Sequence, residues 1–302
     1  MKTNKDILED DELVIKAITT STGGQLSEEQ RTEFVETVIE QSEILQEIDV
    51  IDGIESSEYQ MDTIGLSSRV MRAGVEGTAP DVTDATIVRR TLNPAEVILA
   101  FDITKRFLMR NIARGTADQA INSIFAKQYK NDLVDLIFNG DKGSVNAFIQ
   151  IIDGYIDRAK ADGSAHTDDF SANDNLKDVF AAMVDVLPNK WMNEDELMII
   201  ASPAMQKKYQ RQLGEKNTQL GDLMTVNKPQ IFFEGIEVVK VASFPDTELL
   251  LTPRKNLAVG IGQEMVVEMF YNSRKRQREY TVTGYVDANY KISDAVVLFT
   301  QA

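Results

Sequence analysis

Residues 117–140 read ADQAINSIFAKQYKNDLVDLIFNG and form the strongest pattern in the chain. Apolar side chains recur there at spacings of three and four, at Ala117, Ile121, Ile124, Phe125, Tyr129, Leu133, Leu136 and Ile137. This period is typical of an amphipathic helix. Thr116 and Gln119 have capping-box spacing, and Asn139-Gly140 predicts a left-handed stop. The pattern therefore predicts one helix of about 23 residues and about 35 Å.

Strand patterns surround this helix. Just before it, Val97, Leu99, Phe101 and Ile103 fall on every second position, as in a strand. After it, residues 145–255 mix predicted helices with predicted strands, at 176–187, 197–200, 203–213, 236–241 and 249–251. The chain then returns to long strands, at 265–270, 280–286 and 295–299. Because these elements do not repeat as regular βαβ units, the order favours an α+β fold.

Residues 56–95 differ from the rest because glycine and proline interrupt short β-prone pieces. This stretch predicts a long two-stranded excursion with its turn near residues 74–77. Four arginines lie in it: Arg69, Arg72, Arg89 and Arg90. An isolated hairpin is marginal in water, so we expect the excursion to lie on another surface.

The first 60 residues are strongly acidic. They hold 16 acidic and 4 basic residues, whereas the whole chain has a net charge of −16. A helix is predicted from Ser27, and its narrow apolar stripe includes Phe34 and Val38. That stripe needs a partner, either the body of the same chain or a neighbouring subunit.

The only basic run is residues 274–278, RKRQR. On a strand, Arg274 and Arg276 would share one face and their neighbours the other, and no aromatic residues are interleaved for base stacking. The pattern favours a salt-bridging surface for an acidic neighbour, such as the 1–60 segment. Contact with nucleic acid is the alternative.

The composition excludes several kinds of chemistry. The chain has no cysteine and a single histidine, His166, so disulfides, thiolate nucleophiles, cysteine zinc sites and a histidine triad within one chain are excluded. Weaker candidates are Gly260-Ile261-Gly262 as half of a dinucleotide motif and the carboxylate clusters at 168–169 and 194–196. None has the surrounding pattern that such sites need. We therefore expect no catalytic, cofactor or metal site, and His166 is expected in an exposed loop.

No apolar run reaches the roughly 18 residues that a membrane span needs, and residues 1–12 lack a signal-peptide pattern. Synthesis in the cytoplasm, without a membrane partner, is the expectation.

The order of elements resembles the major capsid proteins of tailed bacteriophages with the Hong Kong 97-type fold, particularly those of contractile-tailed temperate phages. The residues that carry the resemblance are AKQYKNDLVDLIFNGD at 126–141, NAFIQ at 146–150, DGYI at 153–156, and LPNKW at 187–191 before LMIIASP at 197–203.

The resemblance implies a set of domains: an N-terminal arm at 1–55, an E-loop at 56–100, a peripheral domain with the spine helix at 101–144, an axial domain at 145–255, and returning peripheral strands at 256–302. It also implies hexamers and pentamers of an icosahedral shell around double-stranded DNA, contacted without sequence specificity. The implied partners are scaffold and portal proteins and a cement protein. The implied location is the virion capsid, and no enzymatic activity is expected.

One departure concerns a covalent cross-link between lysine and asparagine that part of this family forms. Residues 56–104 contain no lysine, so this loop cannot supply that cross-link. We therefore predict a shell held by non-covalent contacts, with inter-subunit contacts from Arg69, Arg72, Arg89, Arg90, Arg274, Arg276, Phe34 and Val38. The alternatives are an encapsulin-like cargo compartment, a tail-tube or adaptor protein, and a carboxylate-based hydrolase or lyase in residues 145–255.

Overall fold

The computed structural model describes residues 24–25, 28–40, 42–55, 57–66, 85–106, 117–171, 173–193, 196–214, 231–263 and 266–301. The helices in these ranges are α1 Glu28–Glu40, α2 Glu43–Glu47, α3 Ala117–Asn139, α4 Tyr155–Ala161, α5 Leu176–Val186 and α6 Pro203–Gly214. The strands are β1 Gly24–Gln25, β2 Asp49–Ile54, β3 Tyr59–Leu66, β4 Ala85–Leu92, β5 Ala95–Thr104, β6 His166–Asp169, β7 Leu197–Ala201, β8 Phe232–Phe233, β9 Ile236–Lys240, β10 Glu248–Pro253, β11 Leu257–Gly262, β12 Val266–Asn272, β13 Gln277–Tyr290 and β14 Val297–Thr300. Within these ranges, no helix combines the length and the apolar content that a membrane crossing requires.

Helix α3 confirms the strongest sequence prediction, but the cause of its ending differs from the prediction. Gly140 is not among the described residues with left-handed backbone. The helix ends because the following loop passes very close to it: the Gly154 N–H donates to the Gly140 carbonyl at 2.8 Å, and the Asp141 N–H donates to Ile149 O at 2.9 Å. A Cβ at Gly140 would lie 2.5 Å from Ile152 O, and one at Gly154 would lie 2.7 Å from Phe138 O. The glycine is needed for this close approach and not for a left-handed turn.

The first sheet is built around the long strand β13. This strand pairs antiparallel with β5, β11 and β12, while β2 adds parallel to β11 and β1 adds antiparallel to β12. Strand β5 shows the predicted alternation, with its even-numbered side chains exposed from Glu96 to Thr104. The second half of α3 packs against this sheet.

The second sheet has the order β6-β14-β10-β7-β9-β8 and is covered on both faces. Neighbouring residues of β10 show this: Leu250 belongs to the core that contains α3, whereas Leu251 belongs to the core under α5 and α6. All five residues of β7 are buried for the same reason. A strand buried on both faces reads as a continuous apolar run, which is how LMIIA appears in the sequence.

Two sequence predictions need correction. Residues 256–302 were predicted to return together to the first unit, but β14 pairs with β10 and β6 in the second sheet. Strand β6 contains His166, which the sequence placed in a loop; in the structure it lies beside Asp294, with Nε2 3.4 Å from Oδ1.

Much of the described part of the predicted arm lies on its own chain. Helix α1 packs on α3, with the Phe34 ring 5.6 Å from that of Tyr129, and Val38 is buried in the same core. Ion pairs join Glu47 to Arg254 and Asp49 to Lys291. The apolar stripe of α1 therefore packs on the body of the same chain, the first of the two partners that the sequence allows.

Candidate assembly surface

Strands β3 and β4 form a two-stranded antiparallel ribbon, as the sequence predicts for this excursion. The turn predicted near residues 74–77 lies outside the described residues, as do Arg69 and Arg72. On one face of the ribbon, Asp62 is opposite Arg89 and Ile64 is opposite Ile87. The Arg89 Nε donates to Asp62 Oδ1 at 2.7 Å, and this exposed pair raises the pKa of Arg89. Ile64 is 71% exposed and Ile87 is 61% exposed, so this face offers an apolar pair to solvent.

The other face of the ribbon is buried at its root. Met61 and Leu92 pack against Ile54 and Ala258. Strand β11 comes very close here, because a Cβ on Gly260 would lie 2.7 Å from Ile54 Cδ1 and 3.0 Å from Leu92 Cδ1. The Gly-Ile-Gly sequence therefore belongs to a packed strand beneath the ribbon and not to a dinucleotide loop.

A polar group, which we call the root cluster, fixes β4 to β13, to the residue after α4 and to the turn before β14. It consists of Arg90, Asp162, Tyr290 and Ser293. Arg90 Nη2 donates to the Asp162 carboxylate and to the Ser293 hydroxyl, and its guanidinium lies 5.1 Å from the centre of the Tyr290 ring. The Tyr290 hydroxyl also donates to Asp162 Oδ2 at 2.7 Å. Burial alone would raise the pKa of Asp162, but these donors and the Ser164 N–H outweigh it and lower the pKa to about 2.

A second ion pair lies beside the root cluster. Arg158 Nη2 donates to Asp287 Oδ1 at 3.0 Å, and the Asn93 N–H donates to Asp287 Oδ2 at 2.7 Å. The Asp287 side chain is only 1% exposed, and burial raises its pKa although Arg158 and the N–H donors oppose that effect. Asn93 lies between β4 and β5, so carboxylates of the body hold both β4 and the link that follows it.

The basic run lies at the turn between β12 and β13. Arg274 and Arg276 are exposed, and Arg276 has left-handed backbone with φ 54°. Its carbonyl accepts the Lys105 N–H at 2.8 Å, which ties the turn to the end of β5. Lys275 pairs with Glu279 at 3.2 Å. Two acidic residues of the predicted arm, Glu47 and Asp49, form ion pairs with Arg254 and Lys291, which lie outside this basic run.

The structure thus separates the predicted contact residues. Arg89, Arg274 and Arg276 stay on the surface, whereas Arg90 and Val38 serve contacts inside the chain. Sequence reasoning missed Ile64 and Ile87. The only indication in the sequence was that each of the two predicted strands has an isoleucine on the face that the other described residues leave exposed.

Among the weaker candidates, Asp168 and Asp169 are exposed on β6, and Glu194 and Asp195 lie outside the described residues. In the described part of the chain, no group of three or more histidine, aspartate or glutamate side chains has a geometry suited to a metal.

Comparison with known proteins gives one full-length sequence relative. The chain is 23% identical over 309 residues to the provisionally named prophage capsid protein YqbE of Bacillus subtilis (strain 168), and the match covers 97% of both proteins. No family model matches the chain.

Solved structures give the same result for the fold. A chain of the satellite phage P4 procapsid with its size determination (Sid) protein matches with a TM-score of 0.72 and 16% identity, over 100% of this chain and 98% of that one. The capsid of an empty GTA particle matches with a TM-score of 0.59 and 15% identity, over 85% and 88% of the two chains. A virus-like particle from Pyrococcus furiosus matches with a TM-score of 0.54 and 13% identity, over 89% and 96%.

The spine helix, the two sheets and the ribbon occur here in one chain whose whole length matches capsid proteins in sequence and in fold. The resemblance found in the sequence is therefore confirmed for the fold: the chain has the Hong Kong 97-type fold, and along its length it is similar to capsid proteins of phages and prophages.

Proposed function

We propose that this chain is the major shell subunit of a phage capsid, and that it assembles as hexamers and pentamers of an icosahedral shell around double-stranded DNA. The observation that carries the proposal is the ribbon β3–β4, whose root is fixed to the body while its outer apolar pair is uncovered by the described residues. The proposed role is structural and places the protein in the virion capsid, in keeping with its relatives.

The outer face of the ribbon suits contact with a second copy. Cross-strand isoleucines on an isolated ribbon gain little from burial within the ribbon itself, and a two-stranded hairpin is marginal alone. Laying Ile64 and Ile87 on a neighbour removes both from water, which is favourable at about 25 cal/mol for each Å² of apolar surface. Identical subunits repeat this contact around a closed ring, so a small gain per copy is multiplied.

The exposed arginines support polar contacts at the rim of such an interface. Arg89, Arg274 and Arg276 can form bidentate pairs with carboxylates of a neighbour. We extend the same proposal to Arg69 and Arg72. Scaffold, portal and cement proteins are further proposed partners, and DNA is proposed to be enclosed without sequence-specific contacts.

The experiment compares Ile64→Lys with Val145→Lys. Both variants add one charge at an exposed apolar side chain, but Val145 lies in the loop after α3 and is not part of the ribbon. Coexpression with the neighbouring phage genes, followed by electron microscopy and sedimentation, should give soluble subunits without shells for Ile64→Lys and normal shells for Val145→Lys. Normal shells from Ile64→Lys and Ile87→Lys would refute the role of the ribbon.

A second candidate is an encapsulin-like compartment that encloses protein cargo, and it is compatible with the fold, which a virus-like particle from Pyrococcus furiosus also matches. The contents of purified particles distinguish the two. Nuclease-protected double-stranded DNA supports the phage shell, whereas a protein cargo without DNA supports the compartment.

A further inference from the structure

An open cleft of about 350 Å³ lies beside the root cluster. We call it the root cleft. Arg90 of β4 and Arg158 of α4 both line it, so it lies where the base of the ribbon meets the body of the chain. Ala161 and Gly163 also line the cleft and are exposed. The cleft therefore combines room for a small molecule with two guanidinium groups in its wall.

Each of the two arginines uses only some of its nitrogens in contacts with the protein. Arg90 donates through Nη2, to Asp162 and to Ser293. Arg158 donates through Nε to a backbone carbonyl at 2.9 Å and through Nη2 to Asp287. Among the described residues, Nε and Nη1 of Arg90 and Nη1 of Arg158 have no acceptor. Three nitrogens of the two guanidinium groups are thus left to donate.

These three nitrogens are open to solvent. In the described part of the chain, the side-chain polar atoms that are both buried and without a partner are the Tyr129 hydroxyl, His166 Nε2 and Glu248 Oε2, and no arginine nitrogen is among them. The side chains of Arg90 and Arg158 are accordingly 28% and 21% exposed. A ligand can reach these donors while the contacts inside the chain stay in place.

The contacts inside the chain hold the two guanidinium groups in position. Arg90 lies 5.1 Å from the centre of the Tyr290 ring, and Arg158 pairs with Asp287, whose side chain is 1% exposed. Because Asp162 and Asp287 balance the two positive charges, the cleft offers directed hydrogen bonds more than long-range attraction. Donors fixed in this way lose little freedom when a ligand binds. The cleft therefore suits an anion that has several acceptor oxygens.

We propose that the root cleft binds a phosphate group, whose oxygens accept hydrogen bonds from the spare nitrogens of Arg90 and Arg158. Guanidinium N–H groups match the oxygens of phosphate in charge and geometry. The five non-hydrogen atoms of phosphate fit, since a protein cavity of about 150 Å³ accepts the six of benzene. The bound group links β4 to α4 and holds the ribbon against the body. The site belongs to the single subunit and does not depend on the proposed shell function.

Phosphate binding is measured on the full-length purified subunit by NMR. Phosphate replaces chloride at constant ionic strength, and the side-chain Nε–H signals of the arginines are followed. We expect a saturable shift of the Arg90 and Arg158 signals with a Kd on the order of 1 mM, which two charge-assisted hydrogen bonds can supply. Hydrogen exchange in β3 and β4 should slow over the same range of concentration. Shifts that stay linear in phosphate concentration would overturn the proposal.

Arg90→Lys and Arg158→Lys test the assignment of the site, because each keeps a positive charge beside its carboxylate partner but lacks the planar guanidinium. Each should weaken phosphate binding about tenfold, the effect of one charge-assisted hydrogen bond. Arg211→Lys, at an exposed position of α6, is the matched control and should bind like the wild type. Binding that survives both cleft variants, or that Arg211→Lys weakens equally, would contradict the site.

A second pair of variants leaves both arginines intact. Gly163 lines the cleft, and nothing lies within 4 Å of the position that its Cβ would take, so Gly163→Glu and Gly163→Gln should both fold. The two side chains have the same size, but the glutamate brings its own carboxylate to the cleft. It should weaken phosphate binding roughly fivefold more than the glutamine does, through charge repulsion in water. Equal affinities of the two variants would refute an anion site.

The phosphate group can be the free ion or part of a DNA backbone, and competition separates these sources. A short DNA duplex is added to the subunit saturated with phosphate. Reversal of the Arg90 and Arg158 shifts towards a second bound state supports the DNA backbone as the source, whereas unchanged shifts support the free ion.

Discussion

At Gly140 and at Gly154, backbone atoms of a facing segment occupy the space that a side chain would need. A methyl group on either would lie as close as 2.5 Å and 2.7 Å, respectively, to carbonyl oxygens of the facing segment. Real Cβ atoms do not approach backbone so closely, and backbone cannot move aside as a flexible side chain can. The two glycines therefore set the distance between the end of α3 and the start of α4.

We predict that Gly140→Ala and Gly154→Ala each lower the free energy of unfolding by about 3 kcal/mol, the upper range for overpacking. Gly163→Ala is the matched control, because nothing lies within 4 Å of the position that its methyl group would take. It should change stability by less than about 0.5 kcal/mol. Urea unfolding of the purified subunits measures all three, and a tolerant Gly154→Ala would disprove the close-approach explanation.

The root cluster makes the stability of the folded chain depend on pH, through Asp162. Its pKa is about 2 in the folded protein and 3.8 in its ordinary state, so the folded state favours the carboxylate. The associated stability, about 2 kcal/mol, is present above about pH 4 and is lost as the pH falls towards about 2. Asp162→Asn should thus be less stable than the wild type at neutral pH, and the difference should shrink below about pH 4. Unfolding curves measured from neutral to strongly acidic pH check this, with Asp246→Asn, at an exposed carboxylate, as the control.

At the scale of elements, the ribbon contains two neighbouring arginines with separate roles. The Arg90 side chain is 28% exposed and contacts the root cluster, whereas the Arg89 side chain is 55% exposed and pairs only across the ribbon among the described residues. Sequence alone could not separate them, because adjacent strand residues look alike until one face is known to be buried.

We predict that Arg90→Gln lowers the free energy of unfolding by about 2 kcal/mol, since it leaves the partly buried Asp162 without its ion-pair partner. It should also speed hydrogen exchange in β3 and β4, because the root of the ribbon is loosened. Arg89→Gln should leave subunit stability unchanged and affect only assembly. Equal destabilisation by the two variants would show that the root cluster does not hold the ribbon.

The elements predicted best were those with a strong period. Helix α3 begins and ends at the expected residues, and β5, β7 and the paired strands of the ribbon follow their sequence patterns. Strand β6 was missed because His-Thr-Asp-Asp has neither apolar alternation nor apolar bulk; it is a strand because β14 offers it a parallel edge. The Gly-Ile-Gly sequence of β11 looks like a local motif, but Gly260 is needed because Leu92 and Ile54 pack directly against it. Long-range contacts of this kind produce no local periodicity in the sequence.

At the scale of the molecule, the second sheet is shared by two cores. Its central strands lack an alternation of apolar and polar residues because each face has its own apolar layer: Met198 and Leu250 face the core of α3, while Ile199 and Leu251 face the core of α5 and α6. Neither core can lose its packing while the sheet stays intact. The two predicted units should therefore unfold together, although the chain connects them through only a few segments.

The single tryptophan makes this shared unfolding measurable. Trp191 packs against the core of α5 and α6, so tryptophan fluorescence reports on that side of the sheet, whereas far-ultraviolet circular dichroism reports on the helices of both sides, α3 included. We predict coincident urea transitions for the two signals. Leu250→Ala and Leu251→Ala, adjacent residues that face opposite cores with 0% exposure, should each lower both midpoints together, by about 3 kcal/mol in stability. If Leu251→Ala shifted only the fluorescence transition, the two cores would be independent, and the sheet would join them without coupling them.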